Sequence, residues 1–165
     1  MFVVAVCLNL PFAIQQETHY ERQDNILSMA APSSLEPIYL SYVAAINERP
    51  FPGLADHVHP IVTLNDVSMP LAEYEKLLTD DIDAAPDLHF ELSMLVVDES
   101  TQRVGCRIEF RCTPTREFMG RNIEGTIKCM EHMFYQYREG KIANVWWMPG
   151  ELVAEAGSNG TGTKL

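Results

Sequence analysis

Among the five histidines of the chain, His132 lies in the middle of an aromatic and sulfur-rich segment, Cys129-Met-Glu-His-Met-Phe-Tyr135. An imidazole with an unperturbed pKa of about 6.5 can accept or donate a proton at neutral pH. Large apolar neighbours are typical of a wall that binds a hydrophobic molecule. These residue types therefore predict proton transfer on an apolar substrate that can enolise.

Glu131 is the competing candidate on the same segment. If residues 126–138 form a strand, alternate side chains point to opposite faces. Met130, His132 and Phe134 then share one face, and Glu131 lies on the other. Only one of the two titratable residues can line a pocket, and the other must be structural. The alternative for His132 is a core histidine whose ring hydrogen-bonds to a backbone carbonyl.

Arg107 has two interpretations. Pairing with Glu131 across adjacent strands would brace the sheet, and this is the favoured interpretation. Alternatively, its guanidinium could bind a carboxylate or enolate of a substrate, because a buried cation needs a partner.

His57 and His59, next to Asp56, are the residues that suggest a metal site. Two imidazoles two residues apart suit a strand better than a helical turn. No third ligand stands at a diagnostic spacing, whereas a zinc site needs three or four protein ligands. We therefore expect no metal.

The first predicted helix has apolar residues at helical spacing from Leu35 to Ile46. Ser33 and Glu36 have the spacing at which each side chain caps the backbone amide of the other. The helix is expected to end before Pro50, because the residue before a proline avoids helical angles.

Two shorter helical signals and a brief strand follow. A helical turn is predicted for residues 53–58, and residues 61–64 are a strand candidate. A further helix opens at Ser68-Met-Pro70, has an apolar and an acidic face, and is terminated by Pro86.

Beyond Pro86 the apolar pattern changes to a period of two residues, which is typical of strands. Strands are predicted at residues 89–97, 104–112, 126–138 and 141–148. Gly140 supplies the positive backbone angle that a tight turn between the last two strands needs. The loop at residues 113–125 carries Phe118 and Met119 and is too apolar for simple solvation, so we expect it to fold over a binding site.

Helices followed by antiparallel strands are typical of an α+β domain in which helices cover one face of a curved sheet. Such an arrangement encloses a cone whose interior suits a small apolar ligand. The domain is expected at residues 29–150. Residues 1–28 are predicted to be a non-domain extension, and residues 151–165 a flexible tail rich in glycine and small polar residues.

Composition predicts one compact domain. The chain has 165 residues, 47% of them hydrophobic, which is enough for a single core. A net charge of −11 disfavours nucleic acid and anionic membranes as partners. The four cysteines, Cys7, Cys106, Cys112 and Cys129, show no CxxC spacing. Buried free thiols fit a reducing compartment, so we expect a cytoplasmic protein.

Five segments, in their order and spacing, resemble the SnoaL-like polyketide cyclase family of the nuclear transport factor 2-like (NTF2-like) superfamily. The resemblance covers residues 35–150. It is carried by Ala45-Ile-Asn-Glu48, Pro86-Asp-Leu-His-Phe90, Val104-Gly-Cys-Arg107, Glu117-Phe-Met-Gly120 and Phe134-Tyr-Gln-Tyr-Arg-Glu-Gly-Lys-Ile-Ala-Asn-Val-Trp146. It implies a cone-shaped α+β barrel with a hydrophobic pocket, no cofactor, and a homodimer that packs through the outer face of its sheet.

The resemblance also implies a chemistry, an intramolecular aldol closure in which an acidic side chain assisted by a His moves a proton from carbon to oxygen. It puts His132 at the position of the pocket His, Asn65 at that of an Asn or His after the second helix, and Trp146 at that of the Trp of the last strand. The family usually has an Asp directly after this Trp or four residues after it. Here Trp147 and Gly150 occupy these positions.

We therefore expect a cofactor-independent cyclase or isomerase that acts on a small hydrophobic carbonyl compound, polyketide-like or terpenoid-like. The predicted catalytic residues are His132, Asn65 and Asp66. His132 exchanges the proton, Asn65 holds the oxyanion, and a carboxylate such as Asp66 or Glu131 is the alternative acid or base. The predicted substrate-binding residues are Tyr42, which also reaches the oxyanion, Arg107, Phe110, Phe118, Met130, Phe134 and Trp146.

Two other functions remain open at the level of the sequence. The absence of the Asp favours a non-catalytic ligand-binding or scaffold protein that keeps only the pocket. A dehydratase or hydrolase on the same fold is the other alternative, because a fold fixes a pocket better than a reaction.

Overall fold

The computed structural model describes residues 34–51 and 53–155. The predicted extension at residues 1–28 lies outside the described residues. The described part contains three helices and seven strands. In chain order they are α1 (Leu35–Asn47), α2 (Leu54–His57), β1 (Val58–Leu64), β2 (Val67–Pro70), α3 (Leu71–Ala84), β3 (His89–Asp98), β4 (Arg103–Cys112), β5 (Ile127–Arg138), β6 (Lys141–Met148) and β7 (Leu152–Ala154). No helix among these residues is long and apolar enough to cross a membrane.

The seven strands form one sheet in the order β2-β1-β6-β5-β4-β3, and β7 adds to β5. The pairing of β1 with β6 is parallel, and the other pairings are antiparallel. The predicted α+β fold, in which helices are followed by a mostly antiparallel sheet, is confirmed. The sheet is open, however, because β2 and β3 are its two edges and do not pair with each other.

The two central strands have one buried and one exposed face. On β4, alternate residues from Val104 to Cys112 are buried, as their spacing predicts. On β5 the same alternation puts Glu131 inside and His132 outside. The helices cover the inner face, and the main core forms between them and the sheet.

Strands β2 and β7 are not apparent in the sequence pattern. Strand β2 pairs with β1 through the two-residue turn Asn65-Asp66, in which both residues have positive φ angles, 44° and 67°. Such angles are typical of tight hairpin turns, and Asn and Asp tolerate them. Strand β7 lies in the segment predicted to be a flexible tail, and this prediction is wrong for residues 152–154, since they pair with β5. Residues 156–165 lie outside the described residues.

The N-terminus of α1 is capped by a distant residue. Ser34 makes no side-chain bond within the helix. Its hydroxyl and the backbone N–H of Leu35 both donate to Oε1 of Glu99, each at 2.8 Å. Glu99 lies in the turn between β3 and β4. Ser33, for which a cap with Glu36 is predicted, lies outside the described residues.

Replacement of Glu99 tests this cap. Glu99→Ala should lower the free energy of unfolding by about 1 kcal/mol, because the first amide of α1 loses its acceptor. Glu99→Gln keeps a carbonyl oxygen at a similar reach and should lose less. Urea denaturation followed by circular dichroism measures both variants. Equal stability of Glu99→Ala and the wild type would show that the cap does not stabilise the fold.

Candidate active site

A cavity of about 480 Å³ lies between the helices and the inner face of the sheet. This volume is in the range of small-molecule sites. Phe118 and Met119 contribute to its wall, so their loop folds over this cavity. The lining residues are Tyr42, Ile46, Leu64, Tyr74, Leu77, Leu78, Asp80, Asp81, Leu88, Phe90, Ile108, Phe110, Phe118, Met119, Glu131, Met133, Tyr135 and Trp147.

Glu131 is the buried carboxyl group of this cavity, with a relative exposure of 5%. Its Oε1 accepts a hydrogen bond from Nε1 of Trp147 at 2.8 Å. Burial raises the pKa of Glu131 to about 7, although the indole N–H favours the ionised form, and nearby Asp81 raises the pKa further. A carboxyl group with this pKa can take up and release a proton at neutral pH.

Asp81, on α3, is a second carboxyl group in the cavity wall. Burial raises its pKa to about 6, and the charge of Asp80 adds to the shift. Asp80 itself is bound by Lys76 on the helix surface, at 2.6 Å. Two carboxyl groups of the cavity wall therefore have pKa values raised toward neutrality, Glu131 from the sheet and Asp81 from a helix.

Two phenols from the helices meet in the cavity. The hydroxyls of Tyr42 and Tyr74 are 2.9 Å apart, and both residues are buried. One hydroxyl donates to the other, so the accepting hydroxyl keeps a proton of its own. Burial raises the pKa of both phenols, which keeps them protonated. The pair can thus donate a hydrogen bond to a carbonyl oxygen of a ligand.

The prediction that His132 faces the cavity is wrong. Its side chain is exposed on the outer face of the sheet, where its partners in the strand register are Arg107 and Met148. The predicted alternation is correct, but the helices cover the face that carries Glu131. Glu131, which the sequence offers only as an alternative carboxylate, occupies the position expected of His132.

The predicted substrate-binding residues divide between the two faces. Tyr42, Phe110 and Phe118 line the cavity. The other four do not line it, namely Arg107, Met130, Phe134 and Trp146. Three of these lie in a groove on the outer face together with His132, and Met130 accepts a hydrogen bond from Ser93. The predicted pair of Arg107 with Glu131 does not form, since Arg107 is opposite His132.

Asn65 and Asp66 do not line the cavity either. Asp66 is exposed in the turn between β1 and β2. Asn65 is engaged with the backbone of Trp147, because its Oδ1 accepts from the N–H at 2.8 Å and its Nδ2 donates to the carbonyl at 3.1 Å. The predicted contact of Asn65 with an oxyanion is therefore replaced by a contact with strand β6.

Trp147 is a candidate functional residue that the sequence analysis does not identify, because it selects the neighbouring Trp146. It pairs with Met133 on the inner face, and its indole reaches Glu131. The position at which the family usually has an Asp thus supplies an N–H donor. The carboxyl group comes from the adjacent strand.

The histidines near β1 have other partners. Nε2 of His59 hydrogen-bonds to the carbonyl of Arg138 at 2.7 Å, and the ring of His57 contacts Tyr42 edge-on. Within residues 34–51 and 53–155, no three His, Cys, Asp or Glu side chains are grouped so as to hold a metal ion. Cys106, Cys112 and Cys129 are buried free thiols, as predicted, and Cys7 lies outside the described residues.

Helices packed on one face of an open, curved sheet, with an apolar cavity between the two layers, define an NTF2-like α+β cone. The model of the SnoaL-like polyketide cyclase family matches residues 36–156, and the chain belongs to this family. No protein with a curated description matches the chain significantly.

Solved structures support this classification. A SnoaL-like polyketide cyclase from Agrobacterium tumefaciens is 34% identical over 70% of this chain and 91% of its own, with a TM-score of 0.66. AclR from Streptomyces galilaeus, a proposed hydroxylase, is 25% identical over 70% of this chain and 88% of its own, with a TM-score of 0.59. IdmH from Streptomyces antibioticus, a proposed polyketide cyclase, is 16% identical over 70% and 91%, with a TM-score of 0.60, and it supports the fold alone.

The raised pKa of Glu131 predicts a specific pH dependence of stability. Since the pKa rises from 4.5 to about 7 on folding, the folded state holds the proton more tightly than the unfolded state. The free energy of unfolding should therefore fall by on the order of 3 kcal/mol as the pH rises from 4.5 to about 7. Above this range it should level off. Glu131→Gln cannot ionise and should lose much less stability between pH 5 and pH 8. Parallel pH profiles of the two proteins in urea denaturation would contradict the assignment.

Proposed function

We propose that the protein is a cofactor-independent cyclase or isomerase and that Glu131 is its acid–base group. Its substrate is a small hydrophobic carbonyl compound, polyketide-like or terpenoid-like. One observation carries the proposal, namely a carboxyl group buried in an apolar cavity with a pKa of about 7. Membership of the SnoaL-like polyketide cyclase family supports a reaction of this type.

The proposed reaction begins with proton abstraction. The ionised Glu131 takes a proton from the carbon next to a carbonyl group, so that the C–H bond breaks and an enolate forms. In a cyclase the enolate carbon attacks a second carbonyl of the same molecule, and the alkoxide formed takes the proton back from Glu131. In an isomerase the proton returns to a different carbon. Both reactions conserve the mass of the substrate.

The phenols of Tyr42 and Tyr74 are the proposed donors to the enolate oxygen. A hydroxyl held in place before the reaction stabilises developing negative charge without reorganisation, and the apolar walls strengthen this effect. The apolar walls also suit the carbon skeleton of the substrate. Binding and proton transfer thus use the same cavity.

Glu131 also bears on the alternative functions. The non-catalytic alternative rests on the absence of the family Asp, and a buried carboxyl group on the adjacent strand removes this reason. A dehydratase or hydrolase would use the same carboxyl group. The mass of the product distinguishes these enzymes from a cyclase or isomerase, because a dehydratase lowers the mass by one water and a hydrolase raises it by one water.

Variants at two neighbouring positions test the acid–base assignment. Glu131→Gln should lower turnover at least about 100-fold, because a general base typically contributes this much. His132→Ala, one residue away on the opposite face, should leave turnover within about twofold of wild type. Proton exchange is measured by mass spectrometry on a panel of aryl β-ketoesters incubated in D2O, because exchange of a proton for a deuteron raises the mass.

The dependence of the exchange rate on pH is a second test of the same assignment. The rate of wild-type proton exchange should rise through pH about 7 as Glu131 ionises. Full activity of Glu131→Gln, or loss of activity in His132→Ala with the fold intact, would refute the role of Glu131. Circular dichroism establishes that both variants are folded.

We further propose a homodimer that packs through the outer face of the sheet. Three apolar side chains are prominent there, Val96 with 62%, Met94 with 57% and Phe134 with 52% exposure. The ring of Phe134 packs over Gly105 of the adjacent strand, where a Cβ atom would lie 3.1 Å from it. Two copies related by a twofold axis would cover this apolar patch with an identical one.

A charge in the patch tests the dimer. Phe134→Glu should convert the dimer into a monomer in sedimentation velocity at micromolar concentration, because a carboxylate in the apolar patch would be buried without a partner in the interface. Leu40→Glu, at an exposed apolar position of α1, is the matched control and should remain dimeric. A monomeric wild type, or a dimeric Phe134→Glu, would exclude this interface.

A further inference from the structure

The turn after β1 lies next to the strand that carries the indole donor of the cavity. Strand β1 runs parallel to β6 as far as Leu64, which pairs with Val145. The N–H of Asn65 still donates to the carbonyl of Val145, at 2.9 Å. The chain then turns away into β2, so the backbone of β1 does not reach Trp147.

The side chain of Asn65 takes the place of the missing strand residue. It accepts from the N–H of Trp147 at 2.8 Å and donates to the carbonyl of the same residue at 3.1 Å. A carboxamide presents an acceptor and a donor side by side, as the C=O and N–H of one strand residue do, so it extends the ladder by one residue. Asn is also suited to the φ angle of 44° at this position.

The backbone of Trp147 is therefore held from two sides. Strand β5 pairs with it at Met133, and Asn65 holds the opposite edge. The indole of the same residue donates to Glu131, with Nε1 at 2.8 Å from Oε1. Three residues thus form a chain of contacts from an exposed turn to the buried carboxyl group.

We propose that Asn65 is a positioning residue for the acid–base group: it holds the backbone of Trp147 so that the indole N–H stays on Glu131. The inference rests on the proposed function of Glu131. A hydrogen bond from the indole stabilises the ionised carboxylate. We call the two hydrogen bonds between Asn65 and the backbone of Trp147 the clamp. Loss of the clamp therefore makes Glu131 ionise at a higher pH, even though Asn65 does not line the cavity.

Other titratable groups lie near Glu131, and of these Asp81 raises its pKa. They are the carboxyls of Asp80 and Asp81 on α3, the phenols of Tyr42, Tyr74 and Tyr135, and the thiols of Cys106 and Cys129. None of them hydrogen-bonds to Asn65 in the described part of the chain. A shift caused by a substitution at Asn65 is thus attributable to Trp147.

The experiment is a titration of the Glu131 carboxyl carbon by NMR in protein labelled with 13C at the glutamate side chains, with the signal assigned from its absence in Glu131→Gln. Asn65→Gly suits the left-handed backbone and removes only the clamp. It should raise the midpoint by roughly half a unit to one pH unit, and Trp147→Phe by about one unit. The double variant should shift no further than Trp147→Phe, because both changes remove the same hydrogen bond.

The matched control is Asp66→Gly, in the same turn at a φ angle of 67°, which should leave the midpoint unchanged. An unchanged midpoint in Asn65→Gly, with or without a loss of stability, would overturn the proposal and leave Asn65 a structural residue of the sheet. An equal shift in Asp66→Gly would also overturn it, because the effect would then belong to the turn. The titration needs no substrate, so its failure is distinguishable from full turnover in Glu131→Gln, which would overturn the proposed function.

Discussion

The removal of one carboxyl group from water is the constraint on which the candidate site depends. In an apolar surrounding the ionised form of Glu131 loses its hydration, and its pKa rises accordingly. The indole N–H of Trp147 opposes this effect by binding the ionised form. Together with the charge of Asp81, which raises the pKa further, these two effects bring it to about 7. Neither a solvated glutamate nor one buried without a donor would be suited to exchange a proton at neutral pH.

The two layers of the fold provide these conditions separately. The sheet determines which side chains are neighbours, since cross-strand pairing brings Trp147 of β6 to Met133 and within reach of Glu131 on β5. The helices exclude water from that face and add the phenols of Tyr42 and Tyr74 and the carboxyl group of Asp81. The site therefore forms only when α1 and α3 are packed on the sheet.

Much of this architecture follows from the sequence, but the choice of face does not. The period-two pattern predicts the four long strands and correctly separates Glu131 from His132. On β5, however, both faces carry large apolar residues, with Tyr135 on one and Phe134 on the other. The pattern thus does not reveal which face the helices cover. The exposed apolar residues that obscure the choice belong to the outer patch for which a homodimer is proposed.

The wrong choice of His132 and of Trp146 has one cause. In a strand an offset of one residue moves a side chain to the opposite face, and this offset separates Glu131 from His132 and Trp147 from Trp146. On β4 the charged residues Arg107 and Arg111 lie on the outer face. Phe110 lies on the inner face and lines the cavity, whereas Arg107, for which substrate binding is also predicted, does not line it.

Contacts between residues that are distant in the sequence account for what the pattern does not contain. The cap of α1 joins residues 64 positions apart, and the clamp of Asn65 on Trp147 joins residues 82 apart. Both use polar side chains of exposed turns to satisfy backbone groups at the end of an element. Because such groups must find partners wherever an element ends, a turn residue can influence a buried site without entering it. The backbone that Asn65 satisfies belongs to Trp147, so the end of one strand and the environment of the carboxyl group are a single structural unit.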